Sequence, residues 1–350
     1  MKLRYLVLAF AILPIVVQAQ IQLSLNENPF GPSPAVNAAI NKELPNIFRY
    51  TGHEGDDLVA AIARHEGVDK DQIIPGDVLT QLGIYLGVKG GKGSEFIYSI
   101  PGYPALVDAA ATVGGVVISV PLNDKKENDL PAITAKIGPK TQAVYLVNPH
   151  NPSGTVTDNK TFHDFLHSVS QKALVVVDEA YLEFSDDFAG RTAVNNIKAG
   201  DNVSVFRTFA KAYGLAGLAF GYAVAPKPLA DYLKKQGSGG VHDLNRISVA
   251  AVSASLADTA YIKTVHDQVA AERNTWIRIL DELQLKHTES QANFVFFDIK
   301  KPYDEVATRF KQEGIIIARS FAPYSTWIRI SIGLPEENRK AQALVRQFIK

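Results

Sequence analysis

Three short segments each join an apolar run to a cluster of polar side chains at its end. They are Tyr145-Leu146-Val147-Asn148-Pro149-His150-Asn151-Pro152-Ser153-Gly154, Val175-Val176-Val177-Asp178-Glu179-Ala180-Tyr181 and Phe206-Arg207-Thr208-Phe209-Ala210-Lys211-Ala212-Tyr213-Gly214-Leu215-Ala216-Gly217. Each places an amide, a carboxylate, a phenol or an amine just beyond a buried strand, where open α/β sheets bind ligands. Taken singly, each has a plain structural reading. Asn-Pro and Ser-Gly pairs make turns, an Asp after a strand caps a helix, and a lone Lys is a solvated charge. Turns and caps do not explain why all three occur together in this order and spacing.

The elements that must position these residues follow from the apolar pattern. Glu95–Ile100, Val116–Val120, Ala143–Val147, Leu174–Val177, Val203–Phe206 and Gly221–Val224 are strand candidates. Several are unbroken β-branched runs, the pattern of strands buried on both faces. Helix-period segments lie between them, among them Tyr103–Thr112, Asp158–Ser170 and Lys227–Lys235. This alternation predicts an α/β fold with a mainly parallel sheet between helices. Upstream, Asn26-Glu27-Asn28-Pro29-Phe30-Gly31-Pro32-Ser33-Pro34 carries three prolines and is expected as an extended arm or loop outside any helix. Gln236-Gly237-Ser238-Gly239-Gly240 has the composition of a flexible stretch. Beyond it come a long helical pattern at Thr259–Leu283, strands at Asn293–Asp298, Ile315–Ala318 and Trp327–Ile332, and a terminal helix. The predicted organisation is a leader at 1–19, an arm at 20–45, a large α/β domain at 46–240 and a small α+β domain at 241–350.

The 350 residues, 46% of them hydrophobic, are enough for two domains with a large core. Lys+Arg and Asp+Glu both number 36, so the balance offers no cationic footprint for nucleic acid. Lys2 and Arg4 precede an apolar run, Leu6 to Val17, and Val17-Gln18-Ala19 suits a signal peptidase. An exported chain, periplasmic or secreted and cleaved after Ala19, is therefore expected. A retained N-terminal anchor is the alternative, although the run is short for a span. The absence of cysteine suits an oxidising compartment without requiring one. Other chemistries fit poorly: no Gly-x-Ser-x-Gly elbow or Gly-x-Gly-x-x-Gly turn occurs, and Lys89–Ser94 lacks phosphate-loop spacing. His163 and His167 sit four apart on a helix, yet have no catalytic Glu and no evident third ligand, so no metal is expected.

The three segments together resemble the aspartate-aminotransferase-like superfamily of pyridoxal phosphate enzymes, and within it the histidinol-phosphate aminotransferase family. The likeness also takes in Leu25-Asn26-Glu27-Asn28-Pro29-Phe30-Gly31, Arg49-Tyr50, Pro101-Gly102-Tyr103, Ser290-Gln291-Ala292-Asn293-Phe294-Val295 and Ile328-Arg329-Ile330-Ser331-Ile332-Gly333. It implies fold type I of the pyridoxal phosphate enzymes, a homodimer, and an aminotransferase acting on an amino donor and a 2-oxo acid or aldehyde. By position, Lys211 would bind the cofactor as an imine and carry protons, since a desolvated lysine is a nucleophile and base. Asp178 would face the pyridine nitrogen and keep it protonated. Tyr181 and Asn151 would hydrogen-bond the ring oxygen, Tyr103 would stack on the ring, and Thr208 would reach the phosphate. Tyr50 would reach that phosphate from the second subunit. Arg329 would clamp the substrate carboxylate with its planar fork. Arg319 would offer a second basic contact to the substrate, and the arm around Asn26 would close over it.

The departures from the family pattern gather at the phosphate end. Val78 and Leu79 stand where the family has a Gly-Ser pair at a helix start, a place where backbone N–H groups and the hydroxyl hold phosphate. Ala210 and Ala219 stand where it has Ser and Arg. Two readings follow. Another cation, with Arg246 as nominee, replaces the lost Arg, or the chain has weakened or abandoned cofactor binding. A decarboxylase using the same residues and a cofactor-free binding protein on the same scaffold are the remaining alternatives. Substrate identity is left open.

Overall fold

The computed structural model describes residues 20–349, so the expected leader lies outside the described residues. The apolar runs become strands β1 (Ile21–Leu23), β2 (Ile73–Gly76), β3 (Glu95–Ile100), β4 (Val116–Pro121), β5 (Thr141–Val147) and β6 (Leu174–Asp178). They continue as β7 (Val203–Thr208), β8 (Gly221–Val224), β9 (Phe294–Asp298), β10 (Ile315–Ile317) and β11 (Trp327–Ser331). Seven of them form one sheet in the order β2-β8-β7-β6-β5-β3-β4. All neighbours in it are parallel except β8, which runs antiparallel to both β7 and β2. Every residue of β6 and of β8 is buried, as unbroken apolar runs between two helical layers require.

The helices cover this sheet by apolar faces. Asn159–Ser170 buries Phe162, Phe165, Leu166 and Val169, spaced three and four apart, and Asp158 caps it by accepting from the Thr161 amide at 3.0 Å. Asp258 caps the long helix Thr259–Glu282 in the same way, and Val265, Val269, Trp276 and Leu280 form its buried stripe. The C-terminal part adds an antiparallel pair, β9 with β11, and a parallel pair, β1 with β10, which fastens the start of the described chain to its far end.

The structure corrects the sequence expectation in three places. Pro34 lies in the first turn of a helix, Pro34–Glu43, capped by Ser33. A helix's first turn has no use for the missing N–H, so this proline is compatible with it. The helix Val78–Gly90, whose start only the family resemblance marks, is hidden from periodicity by its glycines, which weaken helix propensity. Gly83 is there for contact: a Cβ on it would lie 2.2 Å from the Leu106 carbonyl of the helix Ala105–Thr112. The stretch Gln236–Gly240 is not loose, because Tyr85 donates to the Gln236 carbonyl at 2.8 Å and buried Ser238 donates to Gln81 at 3.2 Å.

Candidate active site

Register along the sheet decides which strand ends meet. Val147 of β5 lies beside Asp178 of β6, Asp178 beside Phe206 of β7, Thr208 beside Gly221 of β8, and Gly221 beside Gly76 of β2. A cleft of about 720 Å³ opens along this edge. Its lining includes Lys211, Asp178, Tyr181, Asn151, Tyr103, Thr208, Asn26, Arg319 and Arg329. Nine side chains chosen from scattered segments thus face one space. Tyr50, expected from a second subunit, is 87% exposed and outside this cleft.

Asp178 ends β6 and is buried at the cleft floor. Its carboxylate accepts from Tyr145 at 2.8 Å and from the Ala180 amide at 3.0 Å. Burial pushes its pKa up to about 6, with those two bonds and the charge of Lys211 opposing. Lys211 follows β7, and its Nζ donates to the Leu25 carbonyl at 2.9 Å. Desolvation, then the charge of Arg329, lowers this amine to about 8, against the pull of Glu27 and Asp178. A fraction of it is therefore unprotonated near neutral pH, the form that attacks a carbonyl.

The Tyr181 hydroxyl accepts from Asn26 at 3.1 Å and from Asn151 at 3.2 Å, and burial pushes its pKa up to about 12. Arg329, buried on β11, donates to Asn151 Oδ1 and to the Ser24 carbonyl. Asn26 adopts a left-handed backbone, φ 56°. Reciprocal bonds with Ser331 hold it there, the Asn26 amide donating at 2.9 Å and the Ser331 hydroxyl donating back at 2.8 Å. Asn293 also donates to the Asn26 carbonyl at 3.0 Å. The arm is thus pinned at both ends of its turn, since Asn28 donates to the Ala212 carbonyl beside Lys211 at 2.9 Å. Arg319 is exposed, its guanidinium 4.6 Å from the Phe321 ring, and Tyr103 is 47% exposed at the cleft mouth.

Sequence reasoning passed over Tyr145, Ser331 and Asn293 as parts of the site. Each stood inside a quoted segment, but only the fold shows what its side chain grips. The nominee Arg246 is corrected outright. It is committed elsewhere, donating to Glu43 at 2.6 Å, to Glu54 at 2.8 Å and to the Tyr50 carbonyl at 2.8 Å, and it does not line the cleft. A guanidinium already paired with two carboxylates has little left for a distant anion. His163 and His167 are likewise engaged, with Asn196 and Asp201, and the described residues hold no metal-binding group of three or more.

The cleft's opposite end is differently made. Asp77 precedes the helix Val78–Gly90, and its side chain makes no capping hydrogen bond. Asp77, Leu79, Thr80, Ala210 and Ala219 line this part, with Thr208 Oγ1 turned to accept from the Ala210 amide at 3.1 Å.

The model of the family "Aminotransferase class I and II" matches residues 18–344. The chain is 32% identical to the histidinol-phosphate aminotransferase of Limosilactobacillus fermentum, over 94% of this chain and 91% of that one. It is 34% identical to the aromatic amino acid aminotransferase of Cutibacterium acnes, over 94% and 93%. Among solved structures, the histidinol-phosphate aminotransferase of Sinorhizobium meliloti in complex with pyridoxal-5′-phosphate superposes with a TM-score of 0.84 at 31% identity, covering 95% of this chain and 91% of that one.

Proposed function

The chain belongs to the aminotransferase class I and II family, and we propose from this premise that it is a pyridoxal-phosphate-dependent aminotransferase. It would move an amino group between an amino acid or amine and a 2-oxo acid or aldehyde. One observation carries the reading: Lys211, Asp178, Tyr181, Asn151 and Arg329, from four separate segments, line a single cleft at the strand ends.

The ring end of the cleft fits the cofactor. It offers a lowered amine, a buried carboxylate and a phenol already served by two amide donors. When bound, the cofactor's ring supplies an electron sink for charge developing on the substrate carbon. The rest falls to the chain's own residues. Lys211 would hold the cofactor through its aldehyde carbon, with loss of water, and its freed amine would take and return the substrate proton. Asp178, ionised above about pH 6, would hold a proton on the ring nitrogen. Tyr181 and Asn151 would donate toward the ring oxygen, and Tyr103 would cover the ring. Arg329 presents its fork to the substrate carboxylate, with Arg319 nearer solvent as a second cation for the rest of the substrate. Asn26 closes the cleft against water.

Two further parts belong to the proposal. Leu44, Ile47, Phe48 and Tyr50 are 48%, 64%, 72% and 87% exposed, an apolar surface of the sort that marks protein contacts. This supports a homodimer in which Tyr50 of a second copy reaches the cleft. Phe48→Asp should then shift sedimentation toward the monomer. Export through the N-terminal leader is the other part, checked by cell fractionation and by finding Gln20 as the mature N-terminus.

The cofactor assignment is tested by incubating the purified chain with pyridoxal phosphate, reducing with borohydride and mapping the mass increment. The increment should fall on the Lys211 peptide, and Lys211→Ala should show neither increment nor transamination. An unmodified Lys211, or an unchanged rate in the variant, would refute it.

A further inference from the structure

The phosphate end of the cleft does not match what a phosphate dianion needs. A cofactor phosphate carries about −1.5 to −2 charges near neutral pH and is ordinarily met by cations and N–H donors. The cationic side chains lining this cleft are Lys211, Arg319 and Arg329. Lys211 serves the aldehyde, and Arg329 sits on β11 against Asn151, on the β5 side of Asp178. Sheet order puts the phosphate end on the other side, past Thr208 and Gly221 toward Gly76. The ionisable group there is Asp77, a carboxylate on the very helix start that would otherwise attract an anion. Ala210 and Ala219 contribute methyl groups, and Arg246 is bound to Glu43 and Glu54. What remains is uncharged: the Thr208 and Thr80 hydroxyls, the helix amides and, in the proposed dimer, the phenol of Tyr50 from a second copy.

Resting on the cofactor reading above, we propose that this chain grips pyridoxal by its ring and aldehyde and gains little from the 5′-phosphate, with Asp77 as the residue that sets this preference. Once corrected for the share of pyridoxal that its own 5′-hydroxyl closes into a hemiacetal, pyridoxal and its phosphate ester then bind with affinities within about tenfold, the change that one charge-assisted hydrogen bond makes. The ester's affinity falls as pH rises through about 6, where the phosphate loses its second proton and meets Asp77 as a dianion. Pyridoxal titrated in parallel corrects for Lys211 and for Asp178, which titrates near 6 and faces the ring of both ligands alike.

The test is a binding titration of the full chain with each ligand from about pH 5.5 to 7.5, following the borohydride-fixable absorbance. It is repeated with Asp77→Asn and Ala219→Arg, two exposed positions whose change leaves the ring contacts in place. Each variant is expected to raise affinity for the phosphate ester by about tenfold or more and to leave pyridoxal unchanged. A preference for the ester above about a hundredfold in the unaltered chain overturns the proposal, whatever supplies the missing charge. So does a gain shared equally by both ligands, or no gain in either variant. Failure of both ligands to modify Lys211 in the unaltered chain instead overturns the cofactor reading itself, and this proposal with it.

Discussion

Asp178 sits under two opposed influences, burial that favours its neutral form and two donors that favour the anion. The balance near pH 6 keeps it charged at neutral pH, as a partner to a protonated ring nitrogen must be. Asp178→Asn preserves the shape and the place of the Tyr145 bond while removing the charge. The variant should still bind cofactor at Lys211 but lose roughly a hundredfold or more in turnover, the scale of a lost proton-holding group. Single-turnover kinetics beside the absorbance band separates these effects, and near-normal turnover contradicts the role given to Asp178. Arg329 illustrates the same economy of contacts. Its two Nη atoms hold Asn151 and the Ser24 carbonyl while its buried Nε has no partner among the described residues, so donors remain for a carboxylate, and Arg329→Lys should raise KM for such a substrate more than it lowers kcat.

The arm and the lysine loop act as one element. Gly214 follows Lys211 in a left-handed turn, φ 72°, and a Cβ there would stand 2.5 Å from the backbone of Gly31. Both the conformation and the close approach demand glycine. Gly214→Ala should therefore cost about 1–2 kcal/mol from the backbone alone. It should also push the arm off the lysine loop, opening residues 26–34 to protease. Limited proteolysis together with thermal melting checks this, and an arm that stays protected would show that it is held by Asn26 and Asn28 without help from the turn.

Across the sheet from the cleft, the molecule buries a second set of charges. Side chains alternate along a strand, so Arg207, next to Thr208, points away from the cleft. It lies 2.9 Å from Glu66, 2.9 Å from Glu179 and 3.6 Å from Glu183. Three carboxylates share one guanidinium. Burial pushes Glu179 and Glu183 each up to about 7 from 4.5, with Arg207 opposing. At these two carboxyls the folded chain thus holds protons that the unfolded chain releases, and their contribution to stability falls as pH rises. The contribution is complete below about pH 4.5 and lost as pH passes through about 7. Glu183→Gln removes one titrating group, so its melting temperature should decline less than the parent's between about pH 5 and 7.5. Equal declines would place the proton elsewhere.

Much of this protein is legible without its structure. Periodicity marks the strands β3 to β8 and the polar segments at their ends, because side-chain period is a local property of the chain, and the family resemblance of those segments singles out Lys211, Asp178, Tyr181 and Asn151 within them. The glycine-bearing helix Val78–Gly90 escaped that reading, since its glycines answer to a neighbouring helix and not to local propensity. The sequence by itself thus determined the class of fold, and its resemblance to a family pointed to the ring end of the site and to the departures at the phosphate end. Only the tertiary structure decided that Asp77 joins the same cleft, that Arg246 is spent on Glu43 and Glu54, and that Tyr145 grips Asp178. Those outcomes depend on distances between residues far apart in the chain, and strand order sets such distances.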